Sequence, residues 1–80
     1  MSLKQSTLVK YTTSTATVAQ LHRPAAAAHC YWNLGWSWDK IESNLIGIIL
    51  ETKENKKVKV RWFGINKTFI EYEKYLEKIK

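Results

Sequence analysis

The sequence has few of the residues that lock or interrupt a small fold. It contains one cysteine, Cys30, together with one proline and three glycines in 80 residues. A single cysteine excludes an internal disulfide, so the covalent links that hold tiny secreted domains together are missing. We therefore expect a protein of a reducing compartment, stabilised by close packing or by assembly with other chains.

Long apolar runs are also missing. The longest stretch, Leu45 to Leu50, is far shorter than the roughly 20 residues that cross a bilayer. The N-terminal residues do not form the apolar core of a secretory signal. We expect no membrane partner and no export.

Acidic residues are absent from the first part of the chain. Residues 1–38 contain no Asp or Glu and are rich in Ser, Thr and Ala, whereas residues 39–80 mix 10 basic with 7 acidic residues. Such a mixture of basic and acidic residues is typical of a self-sufficient soluble domain. We predict an extended, partly ordered arm over residues 1–38, of which residues 1–20 are mobile and dispensable for folding, and a small domain over residues 39–80.

The sequence shows no catalytic apparatus. It has no Gly-rich phosphate loop, no spaced pair of carboxylates and no Ser-x-x-Lys arrangement. His22, His29 and Cys30 are three candidate metal ligands, and His29 beside Cys30 is a candidate thiol site. Neighbouring side chains diverge and no fourth ligand lies close in sequence, so ordinary packing is the preferred interpretation. We expect a non-enzymatic protein without cofactor or metal.

The second half of the chain predicts a meander of three strands. Leu45 to Glu51 is a short β-branched run, Val58 to Phe63 alternates strictly, and Thr68 to Tyr72 follows a tight turn. Glu73 to Lys80 fits either a helix or a 3₁₀ turn followed by a closing strand, which we prefer. The predicted core comprises Ile46, Ile48, Leu50, Val58, Val60, Trp62, Leu76 and Ile79.

The first half predicts less regular structure. Thr7 to Tyr11 and Thr15 to Leu21 are expected to be extended because they are β-branched. Pro24 followed by Ala25 to Ala28 suits the first turn of one short helix that ends near Tyr31. The alternation of Trp32 to Trp38 predicts a strand that displays its tryptophans on one face.

The C-terminal half resembles the small SH3-like barrels of tailed bacteriophages. The resemblance rests on a Gly-Ile-Ile strand at residues 47–49, Val60-Arg61-Trp62, the acidic-aromatic pair Glu71-Tyr72, and the closing Leu76-Glu77-Lys78-Ile79. It covers residues 45–80 only, and the Gly-Asp-x-Val strand that usually opens these barrels is not found. The resemblance implies an all-β fold, a small SH3-like barrel over residues 39–80 with the arm in front of it.

Two groups of side chains are candidate binding residues. Trp32, Trp36 and Trp38, with Tyr11 of the arm, are candidates for contact with a protein partner, although the tryptophans would equally serve to cover an open side of the barrel. The net charge of +6 and the pI of about 9.6 favour an acidic partner. The candidate nucleic-acid contacts are Lys53, Lys56, Lys57, Lys59, Arg61 and Lys67, and a merely solvated strand face is the alternative.

The resemblance, together with the small core and the composition of the arm, implies a small structural or accessory protein of a phage particle. It would dock on a larger virion protein through its arm and tryptophan face, in several copies, and would be located in the virion and, during assembly, in the host cytoplasm. The alternatives are a nucleic-acid-binding small barrel and an inhibitor of a host nucleic-acid enzyme, both acting through the basic hairpin 53–61.

Overall fold

The fold is a five-stranded antiparallel sheet with two short helices. The computed structural model describes residues 4–12 and 24–79. In chain order the elements are β1 (Leu8–Tyr11), α1 (Ala25–Leu34), α2 (Trp38–Asn44), β2 (Ile46–Thr52), β3 (Lys57–Trp62), β4 (Lys67–Tyr72), a 3₁₀ turn (Glu73–Tyr75) and β5 (Leu76–Lys78). No helix within these ranges has the length and hydropathy to span a membrane.

The strand order in the sheet is β4-β3-β2-β1-β5. The predicted meander is confirmed as β2, β3 and β4, and the predicted 3₁₀ turn and closing strand are confirmed at residues 73–78. In the described residues β4 and β5 form the two edges, so the sheet is not closed by hydrogen bonds.

Strand β1 lies inside the sheet, between β2 and β5. Val9 is opposite Gly47 on one side and Lys78 on the other, and both Val9 and Tyr11 are buried. The expectation of an arm outside the domain is therefore wrong for the described part of residues 1–38, because β1 supplies core side chains. Thr15 to Leu21, also expected to be extended, lie outside the described residues.

The predicted short helix is confirmed as α1, which continues three residues beyond Tyr31. Alanine has the highest helix propensity, and the helix ends at Gly35, whose φ of 68° is in the left-handed region. A second helix, α2, begins after Ser37, whose hydroxyl accepts a hydrogen bond from the Lys40 amide at 3.4 Å. The predicted strand over residues 32–38 is wrong, because two helices and their caps occupy this segment.

Both helices pack against one face of the sheet, which we call the inner face. The core joins inner-face residues to Ala26, Ala27 and Cys30 of α1 and Ile41 of α2. Of the predicted core residues, Val58, Val60, Trp62 and Leu76 are buried and Ile79 is partly buried. The opposite face, the outer face, carries no described helix. Its outward residues include Leu8, Lys10, Ile46, Ile48, Lys57, Lys59, Arg61, Thr68, Ile70 and Tyr72.

The alternation predicted for β2 is wrong. Ile46, Ile48 and Leu50 were expected in the core but are exposed or only partly buried. The inward positions are Leu45, Gly47 and Ile49. Gly47 explains this choice, since a Cβ there would lie 2.5 Å from Val60 Cγ1 and 2.9 Å from the Arg61 carbonyl oxygen. Only glycine fits at this inward position beside β3. Ile46 and Ile48, which flank it, consequently point outward.

Candidate functional site

The tryptophans of the 32–38 segment do not share one face. Trp32, near the end of α1, is 72% exposed, whereas Trp36 and Trp38 are partly buried against the core. The Lys40 ammonium lies 4.7 Å from the Trp36 ring centroid, and the Trp38 ring lies 6.2 Å from that of Tyr11. Trp36 and Trp38 therefore help to cover the core, and Trp32 alone of these tryptophans is free to meet a partner.

Tyr11 is not a surface residue. It is 1% exposed, its ring centroid lies 4.8 Å from that of Trp62, and its hydroxyl is hydrogen-bonded inside the core. Its predicted role in partner binding is therefore wrong, because a side chain buried in this way cannot be reached without unfolding.

The C-terminal end of α1 presents an apolar surface that we call the α1 patch, consisting of Tyr31, Trp32 and Leu34. All these side chains are exposed, and the rings of Tyr31 and Trp32 meet edge to face with centroids 4.9 Å apart. No Asp, Glu, Lys or Arg occurs in α1. Large exposed apolar side chains on an uncharged helix are typical of a protein contact.

The predicted basic residues separate into two groups. Lys57, Lys59 and Arg61 point outward from β3 and are opposite Tyr72, Ile70 and Thr68 of β4. We call this set, with Phe63, the basic face. The remaining candidates lie elsewhere. Lys53 and Lys56 are in the β2–β3 turn. Lys67 pairs with Trp62, whose side chain points to the inner face, so Lys67 is out of phase with the outward cations.

A buried carboxylate, Glu71, was missed by the sequence analysis. It is 2% exposed, and its Oε2 accepts hydrogen bonds from the Tyr11 hydroxyl at 2.7 Å, the Ala26 amide at 3.0 Å and the Trp62 indole at 3.2 Å. The Tyr11 oxygen in turn accepts from the Ala27 amide at 3.2 Å. Glu71 and Tyr11 thus cap α1, whose N-cap residue is a proline without a side-chain acceptor.

Burial controls the protonation of this cluster. Desolvation raises the pKa of Glu71, although its hydrogen bonds to Tyr11 and the α1 amides oppose the shift. Desolvation and the neighbouring Glu71 raise the pKa of Tyr11 well above its ordinary value. No Lys or Arg donates to this carboxylate in the described residues, so backbone and neutral donors replace the usual cationic partner.

Two sequence signals indicate such a residue. Glu71 is in phase with Phe69, so a strand that buries Phe69 also points Glu71 inward. The Pro24–Ala28 helix start carries no Ser, Thr, Asp or Asn cap. Together they imply that an acceptor from elsewhere in the chain satisfies the first amides of the helix.

The thiol and imidazole of α1 serve in packing. Cys30 is fully buried in the core, and burial raises the pKa of its thiol, which therefore stays protonated. The His29 ring lies 5.7 Å from that of Phe69, and its Nδ1 is 3.4 Å from Asn33 Nδ2. His22, the third candidate ligand, lies outside the described residues.

The sheet therefore separates two candidate surfaces, the α1 patch on its helix side and the basic face on its outer side. No family model, curated protein or solved structure matches this chain.

Proposed function

We propose that this protein is a non-enzymatic accessory protein of a phage particle that docks on a larger virion protein through the α1 patch. The observation that carries the proposal is Trp32, which is 72% exposed beside Tyr31 and Leu34. Tryptophans of this kind are frequent among the residues that dominate binding energy in interfaces. The protein would act in several copies, in the virion and in the host cytoplasm during assembly.

We further propose that the sheet is an SH3-like barrel. The order of elements supports this fold: a three-stranded meander, a 3₁₀ turn, and a last strand that pairs with the first. The resemblance to phage barrels over residues 45–80 links the fold to a particle. Because small barrels serve many purposes, the docking role rests on the α1 patch and not on the fold.

The chemistry of the partner follows from the patch and from the charge. The α1 patch is apolar and its helix carries no formal charge, so the contact surface on the virion protein should be an apolar groove. The chain has a net charge of +6, and an acidic rim around that groove would speed encounter and orient the docked protein.

The test compares particles assembled with the wild-type protein, Trp32→Ala and Leu8→Ala. Truncating an interface residue that dominates binding costs about 2 kcal/mol or more, roughly a 30-fold loss of affinity. We expect mass spectrometry of purified particles to find Trp32→Ala strongly depleted relative to the major capsid protein. Leu8→Ala is the control, because it removes an exposed large apolar side chain of β1 that belongs to neither candidate surface.

Thermal unfolding of each purified variant excludes a trivial loss of folding. Since Trp32 is largely exposed, its replacement should change the melting temperature little. Equal copy numbers of Trp32→Ala and wild type in the particle, or absence of the wild-type protein from the particle, would contradict the proposal.

A further inference from the structure

The outer face of β3 carries a line of cations. Lys57, Lys59 and Arg61 occupy every second position, which places them about 6.6 Å apart along the strand. This repeat is close to the separation of successive phosphates in an extended single strand of nucleic acid. The strand therefore presents positive charge at regular intervals along a nearly straight track.

These cations have no acidic partner in the described part of the chain. The outward residues of β4 are Thr68, Ile70 and Tyr72, none of them acidic. Glu51 of β2 is opposite Lys59, but its carboxylate is 3.3 Å from the Lys53 ammonium in the turn. Lys57, Lys59 and Arg61 are therefore available to bind an external anion.

The other carboxylates near this face lie at its borders. Glu77 of β5, three strands away from β3, pairs with Lys10 of β1 at 3.5 Å. Beside the β2–β3 turn, Glu51 and Glu54 line a shallow hollow with Lys57. In the described residues the acidic side chains therefore lie beside the Lys57 end of the track, whereas Arg61 is opposite the uncharged Ile48 and Thr68.

An exposed aromatic ring continues the line beyond Arg61. Phe63 is 51% exposed and follows Arg61 by two residues, and its amide donates to the Ile46 carbonyl at 2.8 Å, which extends the ladder. The Arg61 guanidinium donates to Asn66 Oδ1 at 2.7 Å, which orients the cation close to this end of the strand. Phe63 offers a flat apolar surface next to an oriented cation.

Tyr72 has a different role at the other end. The ammonium groups of Lys57 and Lys74 lie 5.2 Å and 5.5 Å from its ring centroid. A base would have to displace these lysines in order to stack there. The Tyr72 ring is therefore occupied by lysine ammonium groups, and Phe63 is the ring of the basic face on which a base can stack.

We propose that the basic face binds single-stranded nucleic acid, with phosphates along Lys57, Lys59 and Arg61 and a base stacked on Phe63. A duplex keeps its bases stacked inside and leaves Phe63 without a partner. An acidic protein would use the cations but would not require an aromatic ring. This site is separate from the α1 patch, and its test does not depend on the docking proposal.

The test measures fluorescence anisotropy of a labelled oligothymidylate of about 20 nucleotides with the full chain. Neutralising three phosphates gives a slope of about −2 in a plot of log K against log salt. Affinity should therefore fall about 20-fold between 50 and 200 mM salt. The triple variant Lys57→Gln, Lys59→Gln, Arg61→Gln should lose most of this slope and most of the affinity.

A matched triple variant separates the site from net charge. Lys40→Gln, Lys67→Gln and Lys78→Gln remove the same charge from α2, from the start of β4 and from β5. We expect this control to retain the salt slope and to bind within about threefold of wild type, because long-range attraction between separated exposed charges is screened. Equal loss in the two triple variants would show that only net charge matters and would overturn the proposal.

The aromatic contribution is tested at Phe63. If a base stacks on Phe63, Phe63→Ala should weaken binding at least about fivefold. Phe63→Leu should not restore the affinity, whereas Phe63→Trp should restore it. Trp32→Ala, which removes an aromatic from the other side of the sheet, should bind as wild type. Rescue by leucine, equal binding of a duplex of the same length, or no measurable binding of the single strand would overturn the proposal.

Discussion

Replacing Glu71 tests whether the buried carboxylate holds β1, β3, β4 and α1 together. Glu71→Ala removes the acceptor of three buried donors, the Tyr11 hydroxyl, the Ala26 amide and the Trp62 indole. Glu71→Gln keeps one oxygen in the same place. The two variants therefore separate loss of the acceptor from loss of the charge.

The expected magnitude follows from the number of donors left without a partner. Each unsatisfied buried donor costs about 1–3 kcal/mol, and loss of a helix cap about 1 kcal/mol. Allowing for relaxation, we expect Glu71→Ala to lower the free energy of unfolding by about 3–5 kcal/mol. A chain of 80 residues has a total of about 4–12 kcal/mol, so this variant should be largely unfolded or close to it.

Glu71→Gln also tests the pH dependence. Burial raises the folded-state pKa of Glu71 above its unfolded value, so the folded protein binds the proton more tightly. The stabilisation is complete below the unfolded pKa and is lost as the pH rises through the folded pKa. Wild-type stability should therefore fall with increasing pH over this window, and Glu71→Gln should lack the fall.

Urea unfolding followed by tryptophan fluorescence measures both effects, with Glu77→Gln as control. Glu77 is exposed, and among the described residues it forms an ion pair with Lys10 across β1 and β5, so its replacement should change stability by less than about 1 kcal/mol. If Glu71→Ala is as stable as wild type, or if Glu71→Gln keeps the wild-type pH slope, the cluster does not support the fold as argued.

Further predictions concern the sheet. Gly47→Ala should cost about 1–3 kcal/mol in urea unfolding because its Cβ would overlap Val60; an unchanged midpoint would refute the tight contact. Trp62→Ala should cost about 3–5 kcal/mol, since it empties a fully buried site; an unchanged melting temperature would contradict this burial. Deleting residues 1–12 removes β1 from between β2 and β5, so circular dichroism should show loss of the sheet, and a folded product would restore the idea of a dispensable arm.

The strands with strict alternation were predictable from the sequence. Val58, Val60 and Trp62 alternate with cations, and the pattern alone places them inward, as observed. In β2 the pattern is apolar at nearly every position, so periodicity does not determine the phase. The contact of Gly47 beneath Val60 decides it, and such a contact between strands is not encoded in one strand's own sequence.

The first half was harder because its partners are distant in sequence. Four residues of β1 carry little local signal, and their place in the sheet depends on β2 and β5. The alternation of the tryptophans suggested a strand, but the alanine run and Gly35 favour a helix that ends there. The basic candidates were identified by composition, and only the register of β3 against β4 showed which of them share a face.

The position of β1 between β2 and β5 has a consequence for the order of folding. The hydrogen bond from Tyr11 to Glu71 joins residues 60 apart in the chain, and Val9 pairs with Lys78. During synthesis β1 leaves the ribosome first, yet one of its edges stays unpaired until residues 76–78 have emerged. Contacts of such long sequence separation slow folding, because the loop must close before they form. On the ribosome, the β2–β4 meander can therefore pair early, whereas the sheet is completed only when β5 joins the waiting edge of β1.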